Sequence, residues 1–257
     1  MFAELVAVVA SFCTALSSVM ATRGMKDSNP DTANLVLTGI QTLVLTGILL
    51  MDIPAVNLSA LLWFALAGIC GSFIARLLTM MSYKRIGVSA ASALIGTSPL
   101  VTTLLAVLFL DESLMLPVVL GALLVVGGIV LINMKDSHIS LDWKLIYLPL
   151  CASVLYAVSN VLRKMGTNLL PHAVLGAQVS TFSGLIACNV YLAAKGGFKN
   201  LQLNKQNIQW LAGSGIVNAF AWITITMAIS LGRVSVATSI IYSYPLFSVL
   251  LSRFIIR

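Results

Sequence analysis

Nine times along this chain, about twenty apolar residues run together before a short polar break. The runs are Ala3–Ala21, Thr32–Leu50, Ala60–Ser82, Val88–Leu110, Leu116–Asn133, Trp143–Leu162, His172–Ala194, Ile208–Leu231 and Val234–Ile256. Twenty residues of α-helix cover about 30 Å, the thickness of a bilayer's hydrocarbon layer. Barrel strands would be about ten residues long with alternating polarity, and that pattern is absent. Only 9% of the 257 residues are charged, where soluble domains carry about 25%. The sequence therefore predicts an all-α, polytopic membrane protein with nine transmembrane helices, held in a cell membrane (the inner one in a bacterium). The first run lacks the basic flank of a signal peptide and is too long for its apolar core, so it reads as a retained helix.

The same residues exclude several functions. The net charge of +7 is spread over short loops, as on the inward face of a membrane protein, and does not point to nucleic acid. Cys13, Cys70, Cys151 and Cys188 each fall inside a run, and none forms a C-x-x-C pair, so they read as small buried side chains. His138 and His172 are far apart. No metal-ligand spacing, cofactor motif or nucleophile–base arrangement stands out, which argues against an enzyme.

The chain also repeats itself. Val88–Leu100 reads VSAASALIGTSPL, and 146 positions later Val234–Leu246 reads VSVATSIIYSYPL. Six of these thirteen positions are identical, and Ser92/Thr238 and Thr97/Ser243 keep a hydroxyl. Arg23-Gly-Met25 after the first run matches Arg163-Lys-Met165 after the sixth. The polar segment Lys135–Asp142 divides the copies into 1–135, with helices 1–5, and 136–257, with helices 6–9. An odd number of helices per copy makes successive copies enter the membrane in opposite directions, an inverted-topology repeat. The equivalent of Glu112 falls at position 258, and the fifth helix has no counterpart, so a trimmed chain is expected.

Ile86-Gly87-Val88-Ser89-Ala90, Ser98-Pro99-Leu100, Leu110-Asp111-Glu112, Gly121 and Gly127-Gly128 resemble the EamA-type family of the drug/metabolite transporter superfamily. Asp111 stands where that family usually has Gly, and the second copy ends before its Glu. The resemblance covers nearly the whole chain. It implies ten helices in two inverted five-helix repeats around a central cavity, and solute transport by alternating access.

Matched proline-broken helices are the sequence pointer to a transporter's binding site. Pro99 and Pro245 each free a carbonyl one turn earlier, near Ile95 and Ile241. Either those carbonyls serve a solute or a hydrated cavity, or each proline is a kink whose backbone neighbouring Ser and Thr satisfy. Polar stripes add Ser92, Asn160 in Ser153–Tyr156–Asn160, Gln178 with Thr181 and Asn189, Asn218 and Trp222 after Ser214, and Tyr242 with Thr238. Such faces turn inward, because amides and hydroxyls are costly against lipid. The competing reading is interhelical hydrogen bonding alone. Arg76 is the one charge deep in a predicted run, on a face with Gly68 and Ser72. It either faces the cavity and attracts an anionic or carbonyl-rich solute, or snorkels to the interface. The candidate substrate-binding set is therefore Arg76, Ser92, Pro99, Asn160, Gln178, Asn218, Trp222, Tyr242 and Pro245.

No carboxylate lies deep in a run, so exchange or facilitated movement is expected rather than proton antiport. Loops after odd-numbered helices, with the C-terminal end, carry eleven basic residues against three on the other side. That count places the N-terminus outside, whereas the resemblance implies both ends in the cytoplasm. The predicted function is a permease for a small metabolite or drug-like solute, partnered by the lipid bilayer. The alternative is a non-transporting scaffold or sensor on the same fold, and a homodimer is open to either.

Overall fold

The computed structural model describes residues 2–26, 28–112, 120, 123–124, 127, 145–196 and 198–255. Among them the regular structure is entirely helical. The elements are α1 (Phe2–Gly24), α2 (Pro30–Leu49), α3 (Leu58–Gly68), a π-helical segment (Ile69–Ala75), α4 (Arg76–Ile86), α5 (Val88–Ile95), α6 (Ser98–Phe109), α7 (Tyr147–Leu169), α8 (Ala173–Ala194), α9 (Lys205–Leu231), α10 (Val234–Ile241) and α11 (Tyr244–Ile255). They form eight rods: α3, the π segment and α4 run on as one, as do the kinked pairs α5–α6 and α10–α11. Seven rods are long and apolar enough to cross a membrane. The eighth is α7, also 23 residues long. Of the expected fifth helix, Leu116–Asn133, only residues 120, 123–124 and 127 are among those described, and they are helical. Leucines and phenylalanines such as Leu43, Leu66, Leu104, Phe182 and Phe220 stay exposed around the bundle, as a lipid-facing surface requires.

Helix starts follow local chemistry. Asn29 caps α2, its Oδ1 accepting from Thr32 N at 2.8 Å, with Pro30 at the first position where no N–H is needed. Asp31, an acidic residue in the first turn, is not the cap. Asp31 instead accepts from Lys195 Nζ at 2.7 Å, which joins the start of α2 to the end of α8. This hydrogen bond holds the Lys195 ammonium above its ordinary pKa. Asn57 caps α3 and His172 caps α8 in the same way.

Both proline-broken rods break at equivalent places. α5 stops at Ile95 and α6 starts at Ser98, and α10 stops at Ile241 and α11 starts at Tyr244. Pro99 and Pro245 are buried in the bundle. At each break a hydroxyl ties the turn beside the proline-freed carbonyl: Thr97 Oγ1 donates to Leu94 O, and Ser243 Oγ to Ile240 O, both at 2.7 Å. The first break docks on α7, where the Thr97 and Ser153 hydroxyls lie 2.9 Å apart. The second docks on α1 through Ser243 and Ser11, 3.2 Å apart.

Helices α1–α6 pack chiefly on helices α7–α11. The pairings come in swapped sets. α1 lies along α9 as α7 lies along α3; α11 lies on α1 as α6 lies on α7; α2 and α8 pair with each other. The α3–α8 crossing depends on two glycines. A Cβ on Gly68 would overlap the Ser180 carbonyl, and one on Gly184 would come within 2.6 Å of the Ser72 side chain.

One turn is held from both sides. After α6, Asp111 adopts φ 53°, the left-handed region that Asp tolerates better than most residues. Glu112 then reaches the start of α10. Its Oε1 accepts from Val234 N at 2.7 Å, and its Oε2 from Ser235 N at 3.3 Å and Ser235 Oγ at 2.6 Å. Lys164, from α7, donates to Ile229 O at 2.9 Å and Gly232 O at 2.8 Å, capping the end of α9. An anion at a helix start and a cation at a helix end both complement the helix dipole.

Candidate functional site

A cavity of about 90 Å³ lies at the centre of the bundle. α1 contributes Thr14, Ser17 and Ser18; α4 contributes Arg76, Thr79, Met80 and Tyr83; α7 contributes Tyr156, Ser159, Asn160 and Arg163. Asn218, Trp222 and Ile225 come from α9, and Ile95, Ile241, Tyr242 and Tyr244 from the two helix breaks. Elements from the first six helices and from the last five thus meet here.

The sequence of each wall explains what it presents. In α9, Ser214, Asn218 and Trp222 are four residues apart and share a face. Ser214 Oγ and Ser17 Oγ are 2.9 Å apart, and Asn218 Nδ2 donates to Ser17 Oγ at 3.0 Å. α7 presents Tyr156 and Asn160. Asn160 Nδ2 donates to the Tyr242 hydroxyl at 3.4 Å, and the Tyr156 and Tyr242 rings meet edge to face at 6.3 Å.

Arg76 follows the π-helical segment directly. A π segment has a wider turn than an α-helix, so it shifts every later side chain around the axis. Gly68 and Ser72 accordingly pack on α8, while Arg76 reaches α2 and α9. The sequence expectation that these three share one face is corrected by that shift. Arg76 is 3% exposed and does not snorkel. Its Nη1 donates to Gln41 Oε1 at 2.7 Å and Thr38 Oγ1 at 3.2 Å, and its Nη2 to Asn218 Oδ1 at 3.1 Å. Every one of these acceptors is neutral.

Arg163 is the residue that sequence reasoning missed. It reads as a loop cation there, because apolarity falls after Leu162. In the structure α7 continues to Leu169, and Arg163 is 1% exposed. Arg76 is therefore not the one charge buried in a span. The Arg163 guanidinium stacks 4.1 Å from the Trp222 ring centroid, and that of Arg76 lies 5.3 Å from the same ring. Nε and Nη2 of Arg163 have no hydrogen-bond partner. Among the described residues no Asp or Glu is buried. The signal in the sequence was spacing: Ser153, Tyr156, Asn160 and Arg163 are three, four and three residues apart, one continuous helical face.

Of the predicted set, Arg76, Asn160, Asn218, Trp222 and Tyr242 line the cavity together. Ser92 is buried in α5 behind the wall, near the Tyr83 and Tyr244 phenols. Pro99 and Pro245 shape the breaks without lining the cavity. Gln178 lies elsewhere, where its Nε2 donates to Thr46 Oγ1 at 2.6 Å. It faces inward, as a polar group in a span should, but its partner is α2 and not the cavity. No group of three or more His, Cys, Asp or Glu able to hold a metal occurs among the described residues.

Comparison with known proteins supports the same fold. A solved crystal structure of another protein superposes with a TM-score of 0.79 at 16% identity, covering 98% of this chain and 88% of that one. At that identity the likeness concerns the fold alone. No curated protein sequence matches the chain. Residues 1–134 match the EamA-like transporter family, and this chain, a multi-pass cell membrane protein with a transporter-type fold, belongs to that family.

Proposed function

We propose that the protein is a permease that carries a small solute across the membrane by alternating access. The observation that carries this reading is the central polar cavity, bounded by both proline-broken rods and closed in by helices from both halves of the chain. A passive scaffold gains nothing from gathering two guanidiniums, two amides and four phenols around an open space, since polar and charged groups inside a membrane are costly. Arg76, Asn160, Asn218, Trp222 and Tyr242 hold the solute, and the breaks at Pro99 and Pro245 supply the hinges. The halves 1–135 and 136–257 act as inverted repeats that rock about the cavity. The swapped helix pairings and the matched breaks support that symmetry. With no buried carboxylate among the described residues, the cycle runs as exchange or facilitated movement.

The test is a metabolite screen by thermal shift on purified protein, followed by counterflow in liposomes with each hit. Saturable flux is expected, and Trp222→Ala and Tyr242→Ala abolish it while the variants still reconstitute. Hits that bind yet cross no faster than in empty liposomes contradict the reading.

A further inference from the structure

We infer that the solute is a small organic oxyanion, a carboxylate or a phosphate ester, and that Arg163 grips it. This rests on the permease reading for its location and adds the substrate class.

Nε and Nη2 of a guanidinium form one edge, from which two N–H bonds point side by side. That edge matches the two oxygens of a carboxylate, or two of a phosphate, in a bidentate pair. In Arg163 it is these two nitrogens that lack partners. The side chain is 1% exposed and lines the cavity. An unmade hydrogen bond from a buried charged donor is costly, and a ligand that completes the pair removes that cost.

Charge balance points the same way. Arg76 and Arg163 both stack on Trp222, so the two cations are no further apart than those stacking distances laid end to end. Like charges this close in a buried site repel strongly. Arg76 is already held by Thr38, Gln41 and Asn218, all neutral. Among the described residues no buried carboxylate offsets either charge. The missing negative charge is therefore the ligand's. Arg76 adds field, and Arg163 adds both field and a free fork. Tyr83, Tyr156, Tyr242 and Tyr244 with Ile95 and Ile241 add ring and methyl surface to a wall that also carries hydroxyls from α1, α4 and α7, so the anion carries a compact apolar body.

The test uses the full chain, purified in detergent, at fixed ionic strength. Benzoate, succinate and phenyl phosphate are titrated beside the neutral benzamide, succinamide and phenol, with binding read by calorimetry and by thermal melting. At least one oxyanion is expected to saturate and stabilise, with its neutral isostere at least tenfold weaker. Benzoate or succinate as the hit assigns a carboxylate, and phenyl phosphate a phosphate ester. Arg163→Gln is expected to weaken that anion by about ten- to hundredfold. Arg163→Lys keeps the charge but loses the planar fork, and gives an intermediate loss; it serves as the second variant if Arg163→Gln does not fold. Neutral isosteres that bind as tightly, a panel in which no oxyanion binds, or variants with unchanged anion affinity overturn the inference. Oxyanion binding without flux through liposomes supports the anion site and removes the permease reading. Flux of neutral solutes in preference to oxyanions does the reverse.

Discussion

Arg163 stacks its guanidinium 4.1 Å from the centroid of Trp222, so one ring on α9 fixes a cation on α7. The contact explains how a fully buried arginine is held in place without a carboxylate. A desolvated cation over an indole face is worth about 2 kcal/mol. A double-mutant cycle of Arg163→Met and Trp222→Leu, read by thermal or denaturant unfolding in detergent, is expected to give a coupling of that order. Additive effects within about 0.5 kcal/mol would show that the stacking contributes nothing.

Glu112 carries a second expectation. Its carboxylate takes two backbone N–H groups and a hydroxyl at the start of α10. Loss of a helix cap costs about 1 to 2 kcal/mol, so Glu112→Ala should lower unfolding stability by that much. Glu112→Gln keeps an acceptor but no charge, and should lose less. Lys164→Met, at the other side of the same turn, should cost about 0.3 to 1 kcal/mol. Equal stability of Glu112→Ala and the parent protein would mean the cap is unimportant.

The glycines separate sharply in what they tolerate. Gly68→Ala and Gly184→Ala place a methyl where the α3–α8 crossing has no room. Each should cost about 2 kcal/mol or more, in the range of overpacking. Gly39 and Gly47 have nothing within 4 Å of a built Cβ. Alanine there should be neutral or stabilise by up to about 1 kcal/mol through helix propensity. Melting curves of the four variants check the contrast.

Much of this was legible in the sequence because it follows from local rules. Apolar length gave the seven spans found among the described residues, the repeated Pro gave both helix breaks, and four-residue spacing placed Asn218 and Trp222 on one face. What escaped depended on neighbours distant in the chain. Arg163 lies where apolarity drops, and only the surrounding bundle turns that drop into a buried charge. Gln178 looked like a cavity residue because a polar group in a span must turn inward, but Thr46 on α2 satisfies it. Asp111 has a positive φ, a conformation that Gly adopts most easily and that the residue's identity alone does not announce. The reach of Glu112 to Val234 joins residues 122 positions apart, and no local pattern contains it.

The central claim is that the cavity opens to each side of the membrane in turn. It can be tested without knowing the solute. Thr79 lines the cavity and packs beside Tyr156, and Thr79→Cys is a small change. In a background with Cys13, Cys70, Cys151 and Cys188 replaced by Ala, this single thiol is exposed to an impermeant methanethiosulfonate reagent in right-side-out and inside-out vesicles. Alternating access predicts labelling from both sides, with a bound solute slowing both. Labelling from one side only, or from neither, would contradict it.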